Sequence, residues 1–395
     1  METTKINKKA LAILSAGHLV TDINQGALPA LLPFFKEALN LSYTTSGVIL
    51  LSSNLTSSII QPAFGHLSDR RPIGWLLPLS PFIACLGLSI TGFLSSYPLL
   101  ILCVMLTGFG VASFHPEGFK TAYFFTGDKK ATGMSIFAVG GSFGMAIGPI
   151  LALTLVASFG PKGILGLIIP GILIAIVLLF NMSMLFTPVK SAHKEAKKQM
   201  ETPLTRNQKT TFLLLISIAT VRACTQLGLA TYIPFYYINY LKGSPLYAGK
   251  LVSTFLIAGA LGTLIGGPLA DRLGHKKFLL ITLSLLFPLL LLFYNSSGFI
   301  TFIILAISGM VLISTFGLTT VMAQAILPHH LGMASGMMVG FTISAGGIGV
   351  TLLGIIADTW GVPMAMKTIF ATPLIAFGLT LLLKYPLTTK ATHGA

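Results

Sequence analysis

Residues 65–72 read Gly-His-Leu-Ser-Asp-Arg-Arg-Pro, and residues 267–276 read Gly-Pro-Leu-Ala-Asp-Arg-Leu-Gly-His-Lys. Their aspartates, Asp69 and Asp271, stand about 202 positions apart, half the chain. Each charged loop follows one long apolar segment and precedes another. The duplication continues outside the loops. Leu32-Pro33-Phe34 answers Ile233-Pro234-Phe235, and Gly133-Met134 and Gly144 answer Gly336-Met337 and Gly347, all at nearly the same offset. A half-chain repeat of this kind predicts two pseudo-symmetric helical bundles related by an axis along the membrane normal.

Composition demands the membrane. Charged residues make up 9% of the chain, against about 25% in soluble proteins, and mean hydropathy is +0.86. Apolar stretches of about 20 residues recur, each long enough to cross a hydrocarbon core of roughly 30 Å. Barrel strands would be shorter and would alternate, so the chain is expected to be all-α. The net charge of +15 raises nucleic acid as a partner. Its basic residues sit between spans, where they set topology, and not along one solvated face. Cys85, Cys103 and Cys224 fall inside apolar spans and are expected to be free thiols. Lys5, Lys8 and Lys9 precede an apolar stretch as in a signal peptide. That stretch contains His18 and Asp22 and lacks a small-residue cleavage site, so it is expected to stay as the first helix.

Twelve transmembrane helices are expected. Six lie near 9–35, 45–67, 73–94, 98–125, 132–158 and 163–186. Six more lie near 210–240, 245–268, 277–294, 298–325, 333–358 and 362–385. The domains are therefore an N-terminal six-helix bundle (1–186), a basic cytoplasmic linker (187–209) and a C-terminal six-helix bundle (210–395). Lys and Arg number roughly 18 on the side of the termini, the linker and both aspartate loops, against about five on the other. The positive-inside rule places both termini in the cytoplasm.

Ionisable groups within spans cost about 2.5–3.5 kcal/mol each on insertion scales, so they face a cavity or a partner. The first helix offers His18 and Asp22, one turn apart. The fourth offers His115-Pro116-Glu117-Gly118 and Lys120, with Pro116 expected to loosen the backbone. The seventh offers Arg222, which the repeat aligns beside Asp22. A carboxyl group raised in pKa by burial and lowered by a nearby cation can release a proton when an anion occupies that cation. Glu117 and Asp22 are the candidate proton carriers, with His115 and His18 tuning or relaying. Arg222 and Lys120 are the candidate anion-binding groups, with Gln25, Gln226 and Tyr232 among the pore-lining polar residues. Two other outcomes compete: a fixed Glu117–Lys120 bridge, three residues apart on one face, and a metal site on the two histidines and two carboxylates. Arg222 and Lys120 argue against a metal, and none is expected. His329 and His330 are expected to be solvated in a cytoplasmic loop. No nucleophile–base set or cofactor motif points to an enzyme.

The repeated Gly-x-Leu-(Ser/Ala)-Asp-Arg resembles the signature between helices two and three, and eight and nine, of major facilitator transporters. The resemblance implies that Gly65, Asp69 and Arg70, and likewise Gly267, Asp271, Arg272 and Lys276, form gates. Their contacts would hold an outward-open state and break on inward opening. It also implies that the first, fourth and seventh helices line a central cavity, and that the protein acts as a monomer without a cofactor. Gly144-x3-Gly148-Pro149 resembles the fifth-helix motif of drug–proton antiporters in part, since Ile150 to Leu153 replace the expected glycines. Ordinary close packing explains it equally well. The N-terminal half resembles a narrower group, the bacterial fosmidomycin resistance proteins, through Gly17-His18-x3-Asp22-x3-Gly26, Gln61-Pro62-x2-Gly65, Trp75-Leu76-Leu77-Pro78 and Phe114-His115-Pro116-Glu117-Gly118. That resemblance implies a proton-coupled antiporter in the bacterial inner membrane, exporting a small anionic drug or metabolite by alternating access. The same carboxylates would serve a symporter importing an organic metabolite. A non-transporting receptor on the same fold is the alternative of another class.

Overall fold

A computed structural model of the chain describes residues 5–41, 43–71, 73–196, 205–242 and 245–385. The linker residues 197–204, with Lys197 and Lys198, and the C-terminal residues 386–395 lie outside the described residues. The first half consists of α1 (Lys8–Ala38), α2 (Tyr43–Arg70), α3 (Leu76–Ile90), α4 (Tyr97–Phe125), α5 (Lys130–Phe159), α6 (Ile168–Phe180) and α7 (Met182–Ala196). The second consists of α8 (Arg206–Pro234), α9 (Pro245–Leu273), α10 (His275–Tyr294), α11 (Phe299–Ile313), α12 (Thr315–Ile326), α13 (Leu331–Gly336), α14 (Thr342–Trp360) and α15 (Val362–Leu382).

Among the described residues, 10 apolar rods are long enough to cross a membrane, with α11 and α12 making one rod and α13 and α14 another. Helices α1 and α2, of 31 and 28 residues, carry more polar side chains than most of these rods and complete the twelve. Phe180 and Phe299 are 85% and 78% exposed on these rods, which suits acyl chains and not water. Part of the expected linker is helical, because α7 runs to Ala196. Its Met, Lys, Ala and Glu are good helix formers, and only Pro188 interrupts them. Thr205 then starts α8 with a capping box, its hydroxyl accepting from Gln208 N while Gln208 Oε1 accepts from Thr205 N.

The chain forms two compact units. One comprises Met1–Asp128, Ile136–Pro203 and Pro328–Phe341; the other comprises Lys129–Ser135, Leu204–Leu327 and Thr342–Ala395. In the first unit, small residues set the helix spacing. Gly140, Gly144 and Gly148 of α5 lie against the backbone of α1 at Ser15, Leu19 and Ile23, where a Cβ does not fit. Gly108 lets α4 approach Ser53 on α2, and Gly110 lets it approach Ser80 and Ala84 on α3. The apolar core gathers Ile23, Leu28, Leu31, Leu88, Val104 and Val156. Although Pro116 removes a backbone donor, α4 runs unbroken through it. In the second unit the core is more aromatic, with Phe255, Phe293 and Phe370 packed beside Tyr232 and Tyr236. Gly274 ends α9 at φ +88°, a left-handed conformation that costs glycine little.

Candidate functional site

Within the first unit, two polar clusters occupy different levels of α4. The upper one joins α1 to α4. His18 Nε2 lies 3.3 Å from Asp22 Oδ2, and His115 Nε2 lies 3.0 Å from Asp22 Oδ1. His18 Nδ1 donates to the Phe137 carbonyl of α5 at 3.2 Å, and His115 Nδ1 lies 3.3 Å from Gln61 Nε2 on α2. All three ionisable side chains are buried. One ligand atom from each falls within 4.8 Å of the others, a spacing that would admit a cation. Phe114, Phe119 and Phe137 wall the cluster with rings, which offer a metal no further ligand.

The lower cluster joins α4 to the first repeated loop through Ser68. The Ser68 hydroxyl donates to Glu117 Oε2 and accepts from Lys120 Nζ at 2.9 Å, and its carbonyl accepts a second bond from Lys120. Glu117 and Lys120 therefore meet through a bridging serine and form no direct ion pair. Glu117 is 1% exposed, and its Oε1 has no hydrogen-bond partner.

The next residue, Asp69, accepts from the backbone N–H groups of Gly332 and Met333, both at 2.8 Å. Its carboxylate thereby caps the N-terminus of α13, where free N–H groups and the helix dipole favour an anion. Gly65 lies against the Gly332 carbonyl with no room for a side chain. The second copy is built alike. Asp271 accepts from Ala131 N at 3.0 Å, Thr132 N at 2.7 Å and the Thr132 hydroxyl at 2.5 Å, capping α5. Gly267 abuts Ser135 and Ala131. Lys276 donates to the carbonyls of Leu381 and Leu383 at the end of α15, while Arg70 and Arg272 are exposed. His329 and His330 both keep part of their surface exposed, and His330 is half-buried. Burial, with His329, His66 and Arg70 nearby, lowers its pKa below the usual imidazole value.

Arg222 belongs to the other unit. It is 2% exposed on α8, donates from one terminal nitrogen to Gln226 Oε1 at 3.1 Å, and sits 5.4 Å from the Phe316 ring centroid. Its Nε has no partner, and no carboxylate lies within ion-pair distance among the described residues. Tyr232 is packed in the aromatic core, its hydroxyl 3.4 Å from the Val350 carbonyl, and Gln25 is half-buried. A cavity of about 310 Å³ opens elsewhere, beside Asp271, Gln208 and His275. It is about 21 Å along α8 from Arg222, from a rise of about 1.5 Å per residue.

The repeat of loop and helix has a counterpart at the level of family. The model of the Major Facilitator Superfamily matches residues 14–249 and 214–394. The chain belongs to that superfamily. It is a multi-pass membrane transporter and not an enzyme. It is 32% identical to the fosmidomycin resistance protein of Escherichia coli (strain K12), over 92% of this chain and 90% of the relative. It is 30% identical to an uncharacterised MFS-type transporter of Bacillus subtilis (strain 168), again over 92% and 90%. Among solved structures, the Escherichia coli fucose:proton symporter matches with a TM-score of 0.72 at 14% identity, covering 94% of this chain and 98% of that one. That likeness shows the fold.

The resemblance of the repeated motif to a gating signature implies that the Asp69 cap on α13 breaks and re-forms in each transport cycle. Asp69→Asn keeps one acceptor but loses the charge and the second. Charge-assisted bonds contribute about 1.5–3 kcal/mol, so turnover is expected to fall on the order of 10-fold or more. Substrate affinity stays unchanged. Initial-rate and equilibrium-binding measurements on the same preparation check this, and an unaltered rate rejects the gate.

Three contributors were not picked out as site residues by the sequence: Ser68, quoted only as part of the repeated motif, the Phe137 carbonyl and Gly141. Ser68 is an ordinary small residue whose importance lies in being next to Asp69. A backbone carbonyl leaves no mark in sequence. Gly141 becomes noticeable only when a Cβ built on it falls against His18 Nε2 and, at 2.6 Å, Asp22 Oδ2.

Proposed function

We propose that the protein is a proton-coupled antiporter that exports a small organic anion of the phosphonate kind across the bacterial inner membrane, with both termini cytoplasmic. One observation carries the anion: a buried guanidinium, Arg222, with no carboxylate partner among the described residues and an Nε–H that makes no hydrogen bond there. A guanidinium presents donors in a planar fork that matches a phosphonate or carboxylate. The similarity to a protein named for fosmidomycin resistance supports the same substrate class. Asp22 and Glu117 are the proton carriers of this reading, each buried with a neighbour that responds to its charge. Lys120 supports the gate through Ser68, which leaves Arg222 as the principal anion contact. The protein works as a monomer in the bilayer.

The direct test is fosmidomycin flux in proteoliposomes with and without an imposed pH gradient. A gradient oriented for antiport is expected to drive uphill accumulation that vanishes with a protonophore. Accumulation driven only by the opposite gradient would make the protein a symporter. Indifference to fosmidomycin and to a panel of small phosphonates and carboxylates would reject the anion.

A further inference from the structure

We infer that the His18–Asp22–His115 cluster holds one exchangeable proton, seated between His18 Nε2 and Asp22 Oδ2, and that the Phe137 carbonyl forces it there. This deepens the proposed proton coupling by naming where the proton resides. A carbonyl oxygen only accepts, so the His18 Nδ1 that lies 3.2 Å from it must carry a hydrogen. A neutral ring protonated at Nδ1 turns a lone pair toward Asp22 Oδ2, 3.3 Å away. Two acceptors would then face each other. A proton between them converts the clash into a hydrogen bond, as imidazolium–carboxylate or as imidazole–carboxylic acid.

His115 does not supply that proton. With the Gln61 amide nitrogen donating to His115 Nδ1, the ring hydrogen sits on Nε2 and is donated to Asp22 Oδ1 at 3.0 Å. Reversing the Gln61 amide would place the hydrogen on Nδ1 and leave a second lone pair facing Asp22. The cluster would then need two protons. Either orientation requires at least one beyond two neutral rings and a carboxylate.

Charge and surroundings agree. Without the proton the buried cluster carries a bare negative charge, and no lysine or arginine lies within ion-pair distance among the described residues. With it the cluster is neutral. The Phe137 ring stacks on His18 with centroids 4.6 Å apart, and Phe114 and Phe119 lie at 6.1 and 5.6 Å. Aromatic faces favour a cationic ring over a neutral one. On α4, Glu117 and Lys120 turn to Ser68; among the described residues α2 contributes only the Gln61 amide, and α5 contributes Gly141. The two histidines and Asp22 are thus the titratable groups that face one another here. Because Gly141 is what lets α5 close on this contact, losing the proton opposes two acceptors where α5 leaves no room for a side chain.

The test uses the full-length protein, labelled with ¹⁵N-histidine, in lipid nanodiscs without substrate. The His18 signal is identified by its loss in His18→Gln. His18 is expected to be protonated on both nitrogens, or to be neutral beside an Asp22 whose infrared band is that of a carboxylic acid. On an alkaline jump, wild type should release one proton more per molecule than Asp22→Asn. A neutral His18 beside an ionised Asp22 at transport pH overturns the assignment. So does zinc that co-purifies at one ion per chain and is lost in Asp22→Asn, which would make the cluster a cation site. If Asp22→Asn does not fold, the wild-type spectra decide alone. No substrate enters the experiment, so its failure leaves anion export by Arg222 standing, and failed fosmidomycin flux leaves the proton site standing.

Discussion

Arg222→Met is expected to weaken binding of a small phosphonate about 100-fold and, at the same time, to make the protein more resistant to thermal unfolding. The two effects have one cause. A guanidinium with no carboxylate beside it among the described residues, on a membrane-spanning helix, is costly to bury, by about 2.5–3.5 kcal/mol on insertion scales. One bond to Gln226 and the face of Phe316 offset part of that cost. On the proposed function an anion supplies the rest, through two or more charge-assisted bonds of about 1.5–3 kcal/mol each, and roughly 2.7 kcal/mol corresponds to the stated loss of affinity. Methionine matches the unbranched stem and removes the charge. Replacing buried ionic groups with apolar ones is often neutral or stabilising. Arg222→Lys separates charge from shape. The ammonium remains a cation but has no planar fork, so it should retain part of the affinity. Isothermal titration and thermal melts on the three proteins check this. A structural arginine gives the opposite pattern, with Arg222→Met melting lower and affinity unmoved, and that result would remove the anion site.

The sequence carried the helices and their repeat, because apolar length and an aspartate loop at a half-chain offset are local, countable features. It also placed His18 and Asp22 together, since four residues make one helical turn. It could not place His115 on Asp22. They are 93 positions apart, and their meeting depends on the depth to which glycines let α1, α4 and α5 approach. Local spacing even misled. Glu117 and Lys120 share a face at i, i+3 and suggest a pair, yet both reach to Ser68 because α2 packs in between. The π-helical turns at Phe235–Tyr240 and Met337–Phe341 interrupt apolar runs that give no hint of them. Composition read residues 187–196 as linker, where backbone propensity continues a helix.

The lower cluster supports the second large effect. Glu117→Gln is expected to reduce gradient-driven uphill flux by about 5–150-fold, the range of ordinary coupling free energies, while substrate counterflow without a gradient survives. As a carboxylate, Glu117 accepts from the Ser68 hydroxyl, which leaves the Ser68 oxygen free to accept from Lys120. The order of donors is thus fixed: ammonium to hydroxyl to carboxylate. Protonation removes the charge that holds this order and gives Glu117 a donor of its own, where Oε1 has no partner to receive it. The disturbance falls on Ser68, one residue from the carboxylate that caps α13. Glutamine imitates the protonated state permanently. It keeps shape and one acceptor but cannot change with pH, so the loop should respond to substrate and no longer to the gradient. Ser68→Ala isolates the bridge. Glu117 keeps its charge and Lys120 becomes free to pair with it directly, which should slow proton-driven and counterflow rates alike. Uphill flux in Glu117→Gln equal to wild type would show that the proton reaches the loop by another route, and the His18–Asp22 pair would then carry the coupling by itself.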